Sequence, residues 1–180
     1  MQGPTIVMGV IGSDCHAVGN KILYAVFTRA GFHVVNLGVM VSPDEFIDTA
    51  IEVRAQAIVV ASVYGFGELD CTGMRDRCIE RGLDDIPLYV GGNLVIDKRD
   101  FREVEAIYKG LGFSRVFPPD VDLERVCQLL RQDTATWARY HMVESIASVS
   151  VPAPSACSGS KPRRLEQDSA CTDSQQLLCV

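Results

Sequence analysis

The sequence has no excess of basic residues, because its formal net charge at pH 7 is −6. Nucleic acid and anionic membranes are therefore not expected as partners.

The chain also has no apolar run long enough to span a bilayer and no signal-peptide pattern at its beginning, which predicts a cytoplasmic protein. The seven cysteines form no Cys-x-x-Cys pair. An odd number of cysteines without an export signal favours reduced thiols over a disulfide framework.

Apolar and amphipathic segments alternate between residues 5 and 131. Strands are predicted at 5–11, 33–38, 57–61, 87–90 and 114–117, and helices at 17–30, from 42 onward, and at 69–81, 100–111 and 121–131. This alternation predicts an α/β, flavodoxin-like (Rossmann-like) fold with a five-stranded parallel sheet of order 2-1-3-4-5 and helices on both faces. Residues 3–133 are predicted as the domain, 134–147 as an extra helix and 148–180 as a disordered tail rich in Ser, Pro, Ala and Gly.

A loop with an unusual set of side chains follows the first predicted strand. It contains the pattern Asp-x-His-x-x-Gly at Asp14, His16 and Gly19. A neutral imidazole can bind a transition metal, and a carboxylate two residues earlier can accept the proton of the other ring nitrogen. The pattern alone leaves two alternatives to a metal site. His16 can be a loop histidine that is hydrogen-bonded to the neighbouring Asp14, or Asp14 can be the N-cap of the following helix.

The ligand should bind at the switch point of the sheet, between strands one and three. The chain has neither G-x-G-x-x-G nor a phosphate loop with Lys-Ser/Thr, so the usual nucleotide motifs are missing. A zinc site needs three or four ligands, but of the three histidines His33 begins a strand and His141 lies near the tail. A flavin would fit the fold and would leave Asp14 and His16 without a role. A single histidine suits a metal whose other positions are filled by a macrocycle.

Three motifs in the loops resemble the cobalamin-binding domain shared by mutases and corrinoid proteins. They are Asp14-x-His16-x-x-Gly19, Ser62-x-Tyr64-Gly65 and Gly91-Gly92-Asn93. The likeness is closer still to the small (sigma) subunits of glutamate mutase, also called methylaspartate mutase, and it extends over about residues 3–133. Segments 9–23, 34–38, 89–93 and 116–119 carry it.

The resemblance implies adenosylcobalamin as the cofactor, with its dimethylbenzimidazole detached from cobalt and replaced by His16. Asp14 would orient His16, and the detached nucleotide tail would enter the crevice between strands one and three. The implied cofactor-binding residues are Ser13, Asp14, Cys15, His16, Ala17, Gly19, Ala61, Ser62, Val63, Tyr64, Gly91, Gly92, Asn93, Leu94, Val95, Ile96 and Asp97. His16 is the implied metal ligand, and no catalytic residue is implied in this chain beyond His16 and Asp14.

The implied activity is the radical interconversion of L-glutamate and threo-3-methyl-L-aspartate. A large (epsilon), barrel-shaped subunit would hold the substrate, in an assembly of two small and two large chains. One alternative is a corrinoid carrier protein for methyl transfer, which usually has a helical bundle before this domain, whereas the first strand here begins within five residues of Met1. The other is a cobalamin-sensing module joined to a DNA-binding domain, for which the acidic chain offers no segment.

Some positions keep a structural alternative or depart from the family pattern. Ser62 and Tyr64 can be interpreted as caps of the next helix, and Gly91-Gly92 as an ordinary turn between a strand and a helix. Position 61 is Ala where Ser is frequent in the family, and position 97 is Asp where Gly is usual. Both departures concern the affinity for the cofactor and not the ligation of cobalt.

Overall fold

A five-stranded parallel sheet forms the centre of the structure. The computed structural model describes residues 3–95 and 99–148, with side chains as far as residue 141. The strands are β1 (Thr5–Val10), β2 (His33–Asn36), β3 (Ala57–Ala61), β4 (Leu88–Gly91) and β5 (Arg115–Phe117). Their order is β2-β1-β3-β4-β5, and every neighbouring pair is parallel. The predicted fold class and strand order are confirmed.

Helices cover both faces of the sheet. They are α1 (Ala17–Arg29), α2 (Pro43–Glu52), α3 (Gly67–Cys71), α4 (Met74–Glu80), α5 (Phe101–Gly110) and α6 (Leu123–Ser148). One buried cluster lies against α2, α4 and α5 and includes Val7, Phe46 and Tyr108. A second cluster lies against α1 and α6 and includes Ile6 and Phe27. Because the consecutive residues Ile6 and Val7 face opposite clusters, β1 needs an unbroken apolar sequence.

The prediction of a single helix at 69–81 is wrong. The chain forms two shorter helices, α3 and α4, which are separated by Thr72 and Gly73. Thr72 is extended with ψ 130°, and Gly73 has φ +74°, a conformation that glycine adopts without steric cost. The backbone therefore changes direction between the two helices.

The last helix is longer than predicted. The segments predicted separately at 121–131 and 134–147 form one helix, α6, and the expected domain boundary at residue 133 lies inside it. Thr134, beside the expected break, is fully buried, and its hydroxyl donates to the Leu130 carbonyl oxygen at 2.7 Å. A threonine is accommodated inside a helix when its hydroxyl bonds to the preceding turn in this way.

The predicted tail at 148–180 lies outside the described residues except for Ser148, which ends α6. Although α6 is long, neither it nor another helix in the described ranges is long and apolar enough to cross a membrane.

Candidate cofactor site

An exposed histidine and a buried aspartate are joined in the loop after β1. His16 Nδ1 lies 2.5 Å from Asp14 Oδ1, and the backbone N–H of His16 donates to the same oxygen at 3.0 Å. The Asp14 side chain has no exposed area, whereas 60% of the His16 side chain is exposed. In a neutral imidazole this contact places the proton on Nδ1, which leaves the Nε2 lone pair available to a metal.

The second carboxylate oxygen of Asp14 is held by the chain that follows β3. The backbone N–H of Val63 donates to Asp14 Oδ2 at 2.7 Å. Burial alone would raise the pKa of Asp14, but the hydrogen bonds from Val63 and His16 outweigh it and lower the pKa below its ordinary value. The N-cap residue of α1 is His16, so Asp14 is not the helix cap. Asp14 is an ionised partner that fixes the orientation of the imidazole.

The ends of β3 and β4 approach each other closely at the same edge of the sheet. Gly92 has φ +117°, and a Cβ at this position would overlap the backbone oxygen of Ser62. Ser62 is 1% exposed. Only glycine permits both the positive φ and the close contact with Ser62 at position 92. An ordinary turn between a strand and a helix would not require both. The N-cap residue of α3 is Phe66, so neither Ser62 nor Tyr64 caps that helix.

A cavity of about 880 Å³ lies between α1 and the beginning of α6, against the carboxyl ends of the central strands. The predicted site residues that line it are Cys15, His16, Ala17, Gly19, Ala61, Val63, Gly91, Gly92 and Asn93. The predicted residues Ser13, Asp14, Ser62, Tyr64, Leu94 and Val95 do not line it. Ile96 and Asp97 lie outside the described residues. The fold thus brings the His16 loop and the ends of β3 and β4 to one cavity.

Sequence reasoning missed a large part of the cavity wall. The unassigned lining residues include Val10, Asn20, Ile22, Leu23, Phe27, Val59, Tyr89, Phe117, Pro118, Pro119, Val121 and Val126. Phe117, Pro118 and Pro119 belong to the segment at 116–119 that carries the family resemblance, which was the available signal. Val10, Asn20, Ile22, Leu23 and Tyr89 also lie in segments that carry the resemblance, at 9–23 and 89–93. Phe27, Val59, Val121 and Val126 lie outside all of these segments, and the fold alone brings them to the cavity.

Two neighbouring residues of α1 show that the cavity is suited to a large ligand. A Cβ added at Gly19 would meet no atom within 4 Å, so the first turn of the helix leaves open space there. Asn20 is 4% exposed, and its Nδ2 donates to Asn36 Oδ1 at 2.9 Å and to the Gly38 carbonyl at 3.1 Å. Its Oδ1 is buried and has no partner among the described residues. Such an acceptor, in a largely apolar lining, fits a ligand that has both apolar parts and hydrogen-bond donors.

The fold and the sequence of the domain have counterparts in known proteins. Residues 4–114 match the family described as B12 binding domain. The crystal structure of a cobalamin-binding protein from Desulfitobacterium hafniense DCB-2 has a TM-score of 0.60 at 17% identity, over 73% of this chain and 59% of that chain. The signal receiver domain of NarL from Mycobacterium tuberculosis has a TM-score of 0.55 at 10% identity, over 75% of this chain and 98% of that chain. At these identities the two structures support the fold alone, and the family match defines the class as B12-binding.

Close relatives narrow the class further. Over 133 residues the chain is 67% identical to the glutamate mutase sigma subunit of Yersinia enterocolitica, covering 74% of this chain and 90% of the relative. It is 64% identical to the sigma subunit of Escherichia coli O157:H7, covering 74% of this chain and 89% of the relative. It is 52% identical to the sigma subunit of Clostridium cochlearium, covering 74% of this chain and 97% of the relative. The chain belongs to the family of glutamate mutase sigma subunits.

Proposed function

We propose that this chain is the cobalamin-binding small subunit of a glutamate mutase, in which His16 would bind the cobalt. The observation that carries the proposal is the position of His16, whose exposed imidazole lines the cavity while the buried carboxylate of Asp14 holds Nδ1. A histidine that binds a metal needs an accessible ring nitrogen and a fixed orientation, and this pair of residues supplies both. The 67% identity with a sigma subunit supports the assignment.

The proposed form of the cofactor is adenosylcobalamin, which when bound supplies an adenosyl radical by homolysis of its cobalt–carbon bond. The contribution of the protein is binding and orientation. His16 would hold the metal, and Asp14 would keep the imidazole in one tautomer. The cavity would take the nucleotide tail, with Gly19 leaving room for it and Asn20 offering an unused acceptor. Ala61 would contribute an apolar contact where a serine would contribute a hydroxyl.

The proposed reaction is the interconversion of L-glutamate and threo-3-methyl-L-aspartate. The cavity lining is largely apolar, which suits a flat base better than a dicarboxylate that needs charged partners. We therefore assign the substrate to a large catalytic subunit, in an assembly of two small and two large chains. A mutase is preferred to a methyl-transfer carrier because relatives between 51% and 67% identical are glutamate mutase sigma subunits.

A cytoplasmic location is part of the same proposal. The described cysteines Cys15, Cys71, Cys78 and Cys127 are all free thiols. A reducing compartment keeps thiols in this state. Fractionation of cells that produce the protein would test the location.

Reconstitution with a large subunit tests the proposed activity. The purified chain is mixed with adenosylcobalamin, L-glutamate and increasing amounts of a glutamate mutase large subunit, and methylaspartate is quantified by chromatography. We expect turnover only when all components are present, and we expect it to rise with the concentration of the large subunit. Cofactor affinity should tighten in the same titration, because coupled binding equilibria are reciprocal. Turnover of glutamate by the isolated chain would contradict the assignment of the substrate site.

A further inference from the structure

The phenolic oxygen of Tyr64 lies between the His16 loop and helix α3. It accepts the backbone N–H of Ser13 at 3.2 Å, and its hydroxyl donates to Asp70 Oδ2. Tyr64 and Asp70 lie outside the lining of the cavity. Their contact with the loop is therefore a contact with its backbone, at the residue that directly precedes Asp14.

Asp70 also packs against the loop at Gly12. Gly12 has φ +72°, and a Cβ at this position would overlap the Asp70 carboxylate. The carboxylate of α3 therefore touches the backbone of Gly12 and, through Tyr64, is connected to Ser13. Glycine is required at position 12 both for the backbone conformation and for this close approach.

These contacts act on the same two loops that Asp14 joins. Val63 donates its N–H to Asp14 Oδ2 at 2.7 Å, and the next residue, Tyr64, accepts the N–H of Ser13. Two consecutive residues after β3 thus hold two consecutive residues after β1. Because Asp14 in turn holds His16 Nδ1, a shift of Ser13 would be transmitted to the imidazole.

The protonation of Tyr64 suits a group that donates and accepts at once. Burial and the hydrogen bond to Asp70 raise the pKa of Tyr64, so the phenol keeps its proton at neutral pH. The proton is directed to Asp70, and the oxygen lone pair stays available to Ser13.

We propose that Tyr64 and Asp70 are positioning residues that hold the backbone of the His16 loop and so determine how firmly His16 binds cobalt. The inference rests on the proposed function, since it requires His16 to be the ligand. Neither residue needs to touch the cofactor. Removal of the phenolic hydroxyl would leave Ser13 without its acceptor and Asp70 without its donor, and the loop would lose its attachment to α3.

The test compares variants of the full chain loaded with cob(II)alamin. Tyr64→Phe removes both hydrogen bonds, Asp70→Ala removes the acceptor of the phenol, and Asp70→Asn retains an acceptor oxygen. Tyr24→Phe is the matched control, because Tyr24 is on α1, is 43% exposed and does not line the cavity. Electron paramagnetic resonance of nitrogen-15-labelled protein reports the fraction of cobalt bound to a protein nitrogen, absorbance titration gives the affinity, and thermal unfolding gives the stability.

We expect Tyr64→Phe and Asp70→Ala each to lower cobalamin affinity by at least about fivefold, which is the effect of losing a single hydrogen bond, and to reduce the fraction of cobalt with protein-nitrogen coupling. Asp70→Asn should retain most of the cobalamin affinity and most of the protein-nitrogen coupling. Tyr24→Phe should change neither the affinity nor the coupling. The double variant Tyr64→Phe/Asp70→Ala should lose little more than either single variant, because the two residues act through one contact.

Unchanged coupling in both Tyr64→Phe and Asp70→Ala, with normal coupling in the wild type, would overturn this inference and leave the proposed function intact. A lower affinity with full coupling in the bound fraction would also overturn it, because the residues would then serve only folding. Absence of protein-nitrogen coupling in the wild type would contradict the proposed function itself, and this inference with it.

Discussion

Asp14 joins the loop after β1 to the backbone of Val63, whose N–H lies 2.7 Å from Asp14 Oδ2. The other oxygen, Oδ1, accepts from the backbone N–H of His16 and contacts its Nδ1. One buried carboxylate thus sets the position of the imidazole relative to β3. The geometry of the histidine is fixed by the sheet and not by its own loop alone.

We predict that Asp14→Asn weakens cobalamin binding by about 10–100-fold, as losses of the partner of a ligating histidine do. The amide offers one acceptor oxygen instead of two, so Val63 N–H or the His16 ring loses its partner. Absorbance titration of cobalamin measures the affinity. Asp76→Asn is the control, because Asp76 is an exposed residue of α4 and does not line the cavity. Equal affinities of the Asp14→Asn variant and the wild type would remove Asp14 from the site.

We predict that Gly19→Leu separates binding from stability. The added side chain would enter the open space at the first turn of α1 and occupy part of the cavity. Leucine also favours a helix more than glycine does, so the free energy of unfolding should not fall. Cobalamin affinity should fall at least about tenfold, or ~1.4 kcal/mol. The same change at Gly110, at the end of α5 and away from the cavity, should leave affinity unchanged.

We predict that Gly92→Ala destabilises the fold. Gly92 has φ +117°, and the methyl group would overlap the backbone oxygen of Ser62, so we expect a loss of about 1–3 kcal/mol in the free energy of unfolding. Gly110→Ala is the matched control, because a Cβ there meets nothing within 4 Å and the residue is helical. Urea denaturation of both variants measures the difference. A Gly92→Ala variant as stable as Gly110→Ala would show that β3 and β4 can separate at no cost.

We predict a loss of stability in acid that depends on Asp133. Its carboxylate accepts Arg115 Nε–H at 3.0 Å and the Tyr89 hydroxyl at 2.6 Å. Burial alone would raise the pKa of Asp133, but the bonds from Arg115 and Tyr89 lower it below its ordinary value. A depressed pKa stabilises the fold above the unfolded-state value of about 4, and this contribution is lost as the pH falls through the folded-state value.

The free energy of unfolding, measured in urea between pH of about 6 and about 3, should therefore fall on acidification. Asp133→Asn should be less stable than the wild type at the higher pH and should lose less on acidification. If the free energy of unfolding falls equally with pH in the wild type and in Asp133→Asn, the acid sensitivity belongs to other carboxylates.

Local chemistry made the fold predictable. The apolar sequence of β1 indicated a strand buried on both faces, and Ser42-Pro43-Asp44-Glu45 indicated the start of α2. The structure has the capping box there, with Glu45 N–H donating to Ser42 Oγ at 3.3 Å and Ser42 N–H donating to Glu45 Oε2 at 2.8 Å. The contact between Asp14 and His16 was also predictable, because the two residues are close in sequence.

Long-range packing accounts for what the sequence did not reveal. The break between α3 and α4 depends on Thr72 and Gly73, in a segment whose apolar spacing continues through it. Phe117 of β5 and Val126 of α6 form part of the cavity wall only because the fold brings both elements to the same cavity as α1. Tyr64 was predicted as a cofactor contact, whereas the structure shows it bonded to Ser13 and Asp70. The roles of the predicted residues toward cobalamin stay predictions.

The most direct test of the central claim is electron paramagnetic resonance of cob(II)alamin bound to protein that carries nitrogen-15 in its histidines. His16 as the ligand predicts that the triplet splitting from natural nitrogen becomes a doublet in the labelled wild type. The doublet should be lost in His16→Ala and kept in His33→Ala, since His33 begins β2 and does not line the cavity. A triplet that persists in the labelled wild type would show that dimethylbenzimidazole still holds the cobalt and would contradict the assignment of His16.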